Sequence, residues 1–80
     1  MIDLSGSVAL IPGASGGMGR QVARVFAEHG CDVALGFYSR EGEAREVLDY
    51  AKSLGRLARL DRVDTTSLEA VTRWADSVTA

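Results

Sequence analysis

The run Pro12-Gly13-Ala14-Ser15-Gly16-Gly17-Met18-Gly19-Arg20, directly after the apolar stretch Val8-Ala9-Leu10-Ile11, constrains this chain more than any other feature. Ser7–Ile11 has the continuous apolar character of a strand buried in a parallel sheet. Met18–His29 has the spacing of an amphipathic helix. Between them stand glycines at 13, 17 and 19, where the backbone must turn tightly and then lie close to a bound group. A helix opening there presents unpaired N–H groups and the positive end of its dipole, a ready seat for phosphate. Strand, glycine-rich turn and helix together describe a dinucleotide site. Its binding groups would be Gly13, Gly17 and Gly19 with the amides of Ser15, Gly16 and Met18.

The rest of the chain alternates in the same way. Within the first helix Val22, Val25, Phe26 and His29 share one side, and Gly30 is placed for a left-handed cap. Cys31–Phe37 reads as a second strand. Gly42–Leu54 reads as a second helix, with Ala44, Val47, Leu48, Ala51 and Leu54 at helical spacing and Gly55 as its cap. Arg56–Val63 holds a third strand, weakened by Arg59, Asp61 and Arg62. Ser67–Val78 is a third helix with Leu68, Val71, Trp74, Ala75 and Val78 as its apolar stripe. The order βαβαβα predicts an α/β fold with a parallel sheet in three layers, since short crossovers are right-handed. The first two helices then share one sheet face and the third takes the other. No internal boundary divides the chain, so residues 1–80 form one unit. The first strand is left as an open edge and the third helix stands alone on its face. These features predict a solvent-accessible Trp74 in the dilute chain and a tendency to self-associate.

Composition excludes several function classes. Over 80 residues the chain is 46% hydrophobic and 25% charged with a net charge of −2, which offers no electrostatic surface for nucleic acid. No apolar run is long enough to span a bilayer, and no charged segment leads into an apolar one at the N-terminus. No membrane partner and a cytoplasmic location are therefore expected. Cys31 is the single cysteine, which rules out an internal disulfide or a thiolate cluster and suits a small buried residue at a strand start. No grouping of His, Cys, Asp and Glu suggests a metal site.

The stretch from Pro12 to Arg20 resembles the TGxxxGxG fingerprint of the short-chain dehydrogenase/reductase family, which binds NAD(H) or NADP(H). Its glycine spacing differs from the GxGxxG of other Rossmann enzymes. Pro12 replaces the family's Thr and removes both a backbone N–H and a hydroxyl that helps hold the turn. The resemblance runs over essentially the whole chain but reaches only the front part of a family member. It implies the N-terminal half of a dinucleotide-binding Rossmann domain, truncated after the third helix. An acidic residue at the end of the second strand would select NAD by bonding the ribose 2′-OH. Phe37 stands at that point, followed by Tyr38, Ser39 and Arg40. Ser39 and Arg40, with Arg20 adding positive field, favour NADP(H) over NAD(H), because a guanidinium donates in pairs to phosphate.

The resemblance also implies an Asp at the end of the third strand that meets the adenine. Two registers compete. Asp64, with Thr65 beside it, is preferred because it leaves the longer helix pattern intact; Asp61 is the alternative, which places Ala58 and Leu60 better on the strand. A turn or cap is the competing role for Asp64. The family's catalytic Ser and Tyr-x-x-x-Lys pair lie beyond a fourth strand. Tyr50-Ala51-Lys52 has the wrong spacing, so no catalytic residue is expected within this chain. The parent protein would transfer hydride between NADP(H) and an alcohol or carbonyl carbon, as a homo-oligomer. The alternatives are a non-catalytic nucleotide-binding module and an inactive gene fragment.

Overall fold

The computed structural model describes residues 5–79; positions 1–4 and 80 lie outside it. The order is β1 (Val8–Ile11), α1 (Gly17–Glu28), β2 (Asp32–Phe37), α2 (Glu41–Ser53), β3 (Ala58–Arg62) and α3 (Leu68–Thr79). The three strands form one sheet in the order β1-β2-β3, with both pairings parallel. Each element stands within a residue or two of its expected place. Gly30 (φ 96°) and Gly55 (φ 82°) end α1 and α2 in the left-handed region, where a Cβ is costly.

Strand alternation divides the core in two. Ile11, Val33 and Leu35 face α1 and α2, where they pack with Ala14, Ala23, Ala27, Val47, Leu48 and Ala51. Ala34 and Val63 face α3 and pack with Trp74. The three layers and the facing of the helices are as expected. The burial of α1 is not. Ala23 and Ala27 are its buried residues, while Val22 is 39% and Val25 51% exposed. Alanine lets the helix axis come close to the sheet, and the branched side chains flank that contact instead. Only Phe26 of the expected stripe packs against the core. His29 follows the helix end, its Nδ1 2.7 Å from the Val25 carbonyl.

α3 meets the sheet chiefly through one residue, which is buried where its solitary position suggests exposure. Trp74 is only 7% exposed, and its Nε1–H donates to Asp61 Oδ2 at 3.1 Å. The slot for its ring is made by Gly36, where a Cβ would come within 3.2 Å of the indole and 3.4 Å of the Pro12 Cα. A glycine inside a strand thus admits an aromatic ring from the opposite layer. On the same sheet face Val8 remains 56% exposed.

Cys31 is buried where the chain enters β2, its Sγ 3.3 Å from the Ser7 carbonyl oxygen. Burial pushes its thiol pKa up, with the Ala9 backbone opposing and the Asp32 charge adding to the rise. A thiol so held is an inert packing group at neutral pH.

Candidate functional site

In a parallel sheet every strand delivers its following loop to the same edge, where α/β ligand sites form. Here that edge gathers the turn after β1, the loop Tyr38–Arg40 after β2, and the segment 63–67 after β3.

The turn after β1 is closed by backbone contacts. Ala14 N–H donates to the Gly36 carbonyl at 3.0 Å, tying the turn to β2, and Gly16 N–H donates to the Gly13 carbonyl at 3.2 Å. These bonds hold the turn although Pro12 contributes no N–H. Gly19 stacks directly on Gly13: a Cβ there would lie 1.8 Å from the Gly13 carbonyl oxygen and 2.6 Å from its carbon. No such clash exists at Gly13 or Gly17, where a Cβ would meet nothing within 4 Å. The turn is therefore tight on its inner side and open on its outer side.

α1 begins at this opening. Gly16 is its N-cap, extended at φ −78° and ψ 161°, with no side-chain cap. The first backbone bond to close there runs from Arg20 N–H to the Gly16 carbonyl at 2.9 Å. The amides of Gly17, Met18 and Gly19 come before it and have no intrahelical acceptor. No acidic residue stands in this first turn to compete for them. An open, uncapped helix N-terminus lined by glycine fits the pyrophosphate of a dinucleotide, whose oxygens would take those N–H groups.

The loop after β2 is exposed from Tyr38 to Arg40. Arg40 precedes α2 in the left-handed region at φ 57° and ψ 53°, a conformation uncommon outside glycine. Beside this loop lies Arg62, which spacing alone does not single out. In the β2–β3 register Phe37 is opposite Arg62, so both side chains leave the sheet on one face. The Arg62 guanidinium sits 5.0 Å from the centroid of the Phe37 ring, and Nη1 donates to the Tyr38 carbonyl at 2.6 Å. Its Nη2 is 3.8 Å from Glu41 Oε1, while Glu41 Oε2 accepts from Arg45 at 2.6 Å. That Arg45 bond holds the Glu41 carboxyl below its usual pKa. The alternation of β3 was the available signal for Arg62.

The two aspartates after Leu60 have separate surroundings. Asp61 lies within β3, opposite Gly36, and its Oδ2 accepts from Arg59 Nε at 2.8 Å as well as from Trp74. Asp64 stands beyond the strand, where its Oδ1 accepts from Thr66 Oγ1 at 2.6 Å and Thr66 N–H at 3.0 Å. The Thr66 hydroxyl bond, aided by the backbone one, lowers the Asp64 pKa. Asp64 is thus engaged in the turn role that Asp residues favour. Thr65 is exposed between them. An open groove of about 400 Å³ runs past Asp61, Arg62, Asp64 and Trp74.

Other chemistry-bearing residues lie elsewhere. Tyr50, on α2, donates to Glu28 Oε2 at 2.6 Å and lies under the Arg24 guanidinium, 5.3 Å from ring centroid to Arg24 Cζ. The Glu28 bond raises its pKa, which suits a link between α1 and α2 and not a proton shuttle. Among the described residues no group of His, Cys, Asp and Glu could hold a metal ion, and no helix is long and apolar enough to cross a membrane.

Known proteins resemble this chain in sequence and in fold. L-rhamnose 1-dehydrogenase (NADP(+)) of Thermoplasma acidophilum is 34% identical over 76 residues, covering 95% of this chain and 30% of that protein. The hydroxynaphthalene reductase-like protein of Metarhizium robertsii is 36% identical over 71 residues, covering 89% of this chain and 27% of its own length. Among solved structures, a dehydrogenase/reductase from Sinorhizobium meliloti superposes with a TM-score of 0.88 at 27% identity, covering 96% of this chain and 31% of that one. Carveol dehydrogenase from Mycobacterium avium, in complex with NAD, gives 0.85 at 28% identity, covering 99% of this chain and 32% of that one. The chain thus spans about a third of the length of the proteins it matches. The family described as short chain dehydrogenase matches residues 7–80. The chain belongs to the short-chain dehydrogenase/reductase family.

Proposed function

We propose that this chain is the cofactor-binding portion of an NADP-dependent short-chain dehydrogenase/reductase. The observation that carries the reading is the closed glycine turn. Gly19 has no room for a Cβ, and three amides without intrahelical acceptors open α1 at the strand-end edge. When bound, the dinucleotide supplies the hydride donor or acceptor for an alcohol or carbonyl carbon of the parent's substrate. The residues of this chain bind and orient it. Gly13 and the amides of Ser15, Gly17, Met18 and Gly19 hold the pyrophosphate, while Gly16, whose N–H is taken by the Gly13 carbonyl, shapes the turn. Ser39 and Arg40 meet the adenosine end.

Asp61, on its strand and with Oδ2 engaged, has Oδ1 to offer the adenine; Asp64 and Thr65 shape the neighbouring turn. The reading places the parent in the cytoplasm as a homo-oligomer. Two observations favour NADP over NAD. No carboxylate stands at Phe37, and the name of the Thermoplasma relative carries NADP(+). The NAD in the carveol dehydrogenase complex keeps the other cofactor in view as the competitor.

Replacing Arg40 by Ala is expected to weaken NADP(H) binding by about 1–3 kcal/mol, the range of a hydrogen bond to a charged group, and NAD(H) by less. Fluorescence titration with both reduced cofactors measures this. Equal losses for the two would make Arg40 a loop residue with no part in selection.

A further inference from the structure

We propose that Arg62, at the end of β3, is the principal reader of the adenosine 2′-phosphate, and that Glu41 holds it in place until the phosphate arrives. The inference rests on the dinucleotide reading above and adds to it the residue that selects the cofactor.

The other described arginines leave few candidates. Arg24 lies over Tyr50, and Arg56 donates to the Ala27 carbonyl. Arg59 is paired with Asp61, Arg45 with Glu41 and Arg73 with Glu69. Arg20 stands in α1 by the glycine turn, its buried Nε without a hydrogen-bond partner, and adds its charge from there. Arg40 and Arg62 remain beside the loop after β2, and they differ in order. Arg40 is exposed, its side chain caps nothing, and its backbone is in the left-handed region. Arg62, though its side chain is 62% exposed, has two fixed contacts. The Phe37 ring lies against its guanidinium, and the Tyr38 carbonyl takes one Nη1 hydrogen. A guanidinium carries five N–H donors in a fixed plane, so four are left after the Tyr38 bond. An arginine partly ordered in advance loses less conformational freedom when it binds phosphate with its fork.

Glu41 completes the arrangement. Its Oε1 stands 3.8 Å from Arg62 Nη2, near enough for attraction but beyond hydrogen-bond length, while Oε2 is held by Arg45. A phosphate dianion reaching Nη2 and Nε would form the short charge-assisted bonds that Glu41 does not. Glu41 has Arg45 to retain it, so the exchange leaves no carboxylate without a partner. The same carboxylate repels the incoming phosphate, which moderates affinity for NADP(H).

Calorimetry of the chain with adenosine 2′,5′-bisphosphate and with 5′-AMP isolates the one phosphate concerned. The chain should bind the bisphosphate at least about tenfold more tightly, as a bond to a charged group predicts. Arg62→Ala should remove that preference while changing 5′-AMP affinity by less than about threefold, and should cost more of it than Arg40→Ala does. Arg62→Lys should recover only part, since an ammonium lacks the planar fork. Glu41→Gln, which spares the core, should tighten bisphosphate binding. Circular dichroism of each variant separates lost binding from lost fold.

Equal loss of both nucleotides in a folded Arg62→Ala chain overturns the proposal. So does a preference for 5′-AMP that Glu41→Gln weakens, which would make Glu41 a ribose-hydroxyl acceptor. Binding of both ligands with no preference overturns the role of Arg62 and leaves the dinucleotide site standing. If neither nucleotide binds, the dinucleotide reading fails and this inference fails with it.

Discussion

Replacing Gly19 by Ala is expected to destabilise the chain severely, against the trend for a glycine in a helix. Alanine is the better helix former by about 1 kcal/mol, so propensity alone predicts a gain. The packing reverses the sign. The new Cβ would lie 1.8 Å from the Gly13 carbonyl oxygen, 2.6 Å from its carbon and 3.3 Å from the Ala14 Cα. All of these are backbone atoms, and no rotamer change relieves them. The turn must open, which strains the Ala14–Gly36 tie to β2 and pulls buried Ala14 from the core. Overpacking costs about 1–3 kcal/mol and occasionally more. The upper end applies here, for a net loss of about 2 kcal/mol once propensity is counted. In a domain of this size that lowers the melting temperature by about 8–16 °C. Gly17→Ala is the control, since its Cβ meets nothing within 4 Å and propensity should leave the melt unchanged or raise it by a few degrees. Thermal circular dichroism reads both. A Gly19→Ala chain that melts like the parent would show that the turn is not closed in this way.

Truncating Trp74 to Ala should cost about 3–5 kcal/mol, the range for a buried aromatic ring. The loss is concentrated, because Ala34, Val63 and Trp74 are the buried residues of the α3 face. Without the ring the slot at Gly36 is empty, Asp61 loses a donor, and α3 has only its half-buried Ala70, Val71 and Val78 to hold it. A marginal domain with about 4–12 kcal/mol in hand would lose much of its stability. Trp74→Phe keeps most of the ring and forgoes the indole bond, at about 1 kcal/mol. Urea unfolding followed by circular dichroism measures both variants. Trp74→Ala with an unchanged midpoint would contradict the docking of α3. In the parent chain the same docking predicts blue-shifted tryptophan emission shielded from iodide.

That last expectation reverses what the sequence suggests for Trp74, and the reason is instructive. The apolar stripe of α3 and its lone position on the sheet were visible in the spacing from Leu68 to Val78. The slot was not. It depends on Gly36, remote in sequence, coming to lie opposite Asp61 through strand pairing. The faces of α1 were misjudged for a related reason. Apolar spacing ranks Val22 and Val25 above Ala23 and Ala27, but close contact with a sheet selects the small residues. Features set by neighbouring residues were legible: the glycine turn, the strand before it, and the left-handed caps at Gly30 and Gly55. Arg62 was hidden within a charged stretch that weakened β3 as a strand, and only the register with Phe37 brings it to the loop after β2. The end of β3 at Arg62 and the Thr66 bonds beyond it, which give Asp61 and Asp64 separate surroundings, were likewise not readable from spacing.

The central claim is that the glycine turn and the start of α1 seat the pyrophosphate of a nicotinamide dinucleotide. Titrating the isotopically labelled chain with NADPH while following backbone amide resonances tests it residue by residue. The amides of Gly13, Ser15, Gly16, Gly17, Met18 and Gly19 should shift together and saturate, with a second group at Ser39, Arg40, Asp61 and Arg62. The far end of α2, from Tyr50 to Ser53, should stay still. Saturable shifts elsewhere with the glycine amides unmoved, or no shift at all, would contradict the account.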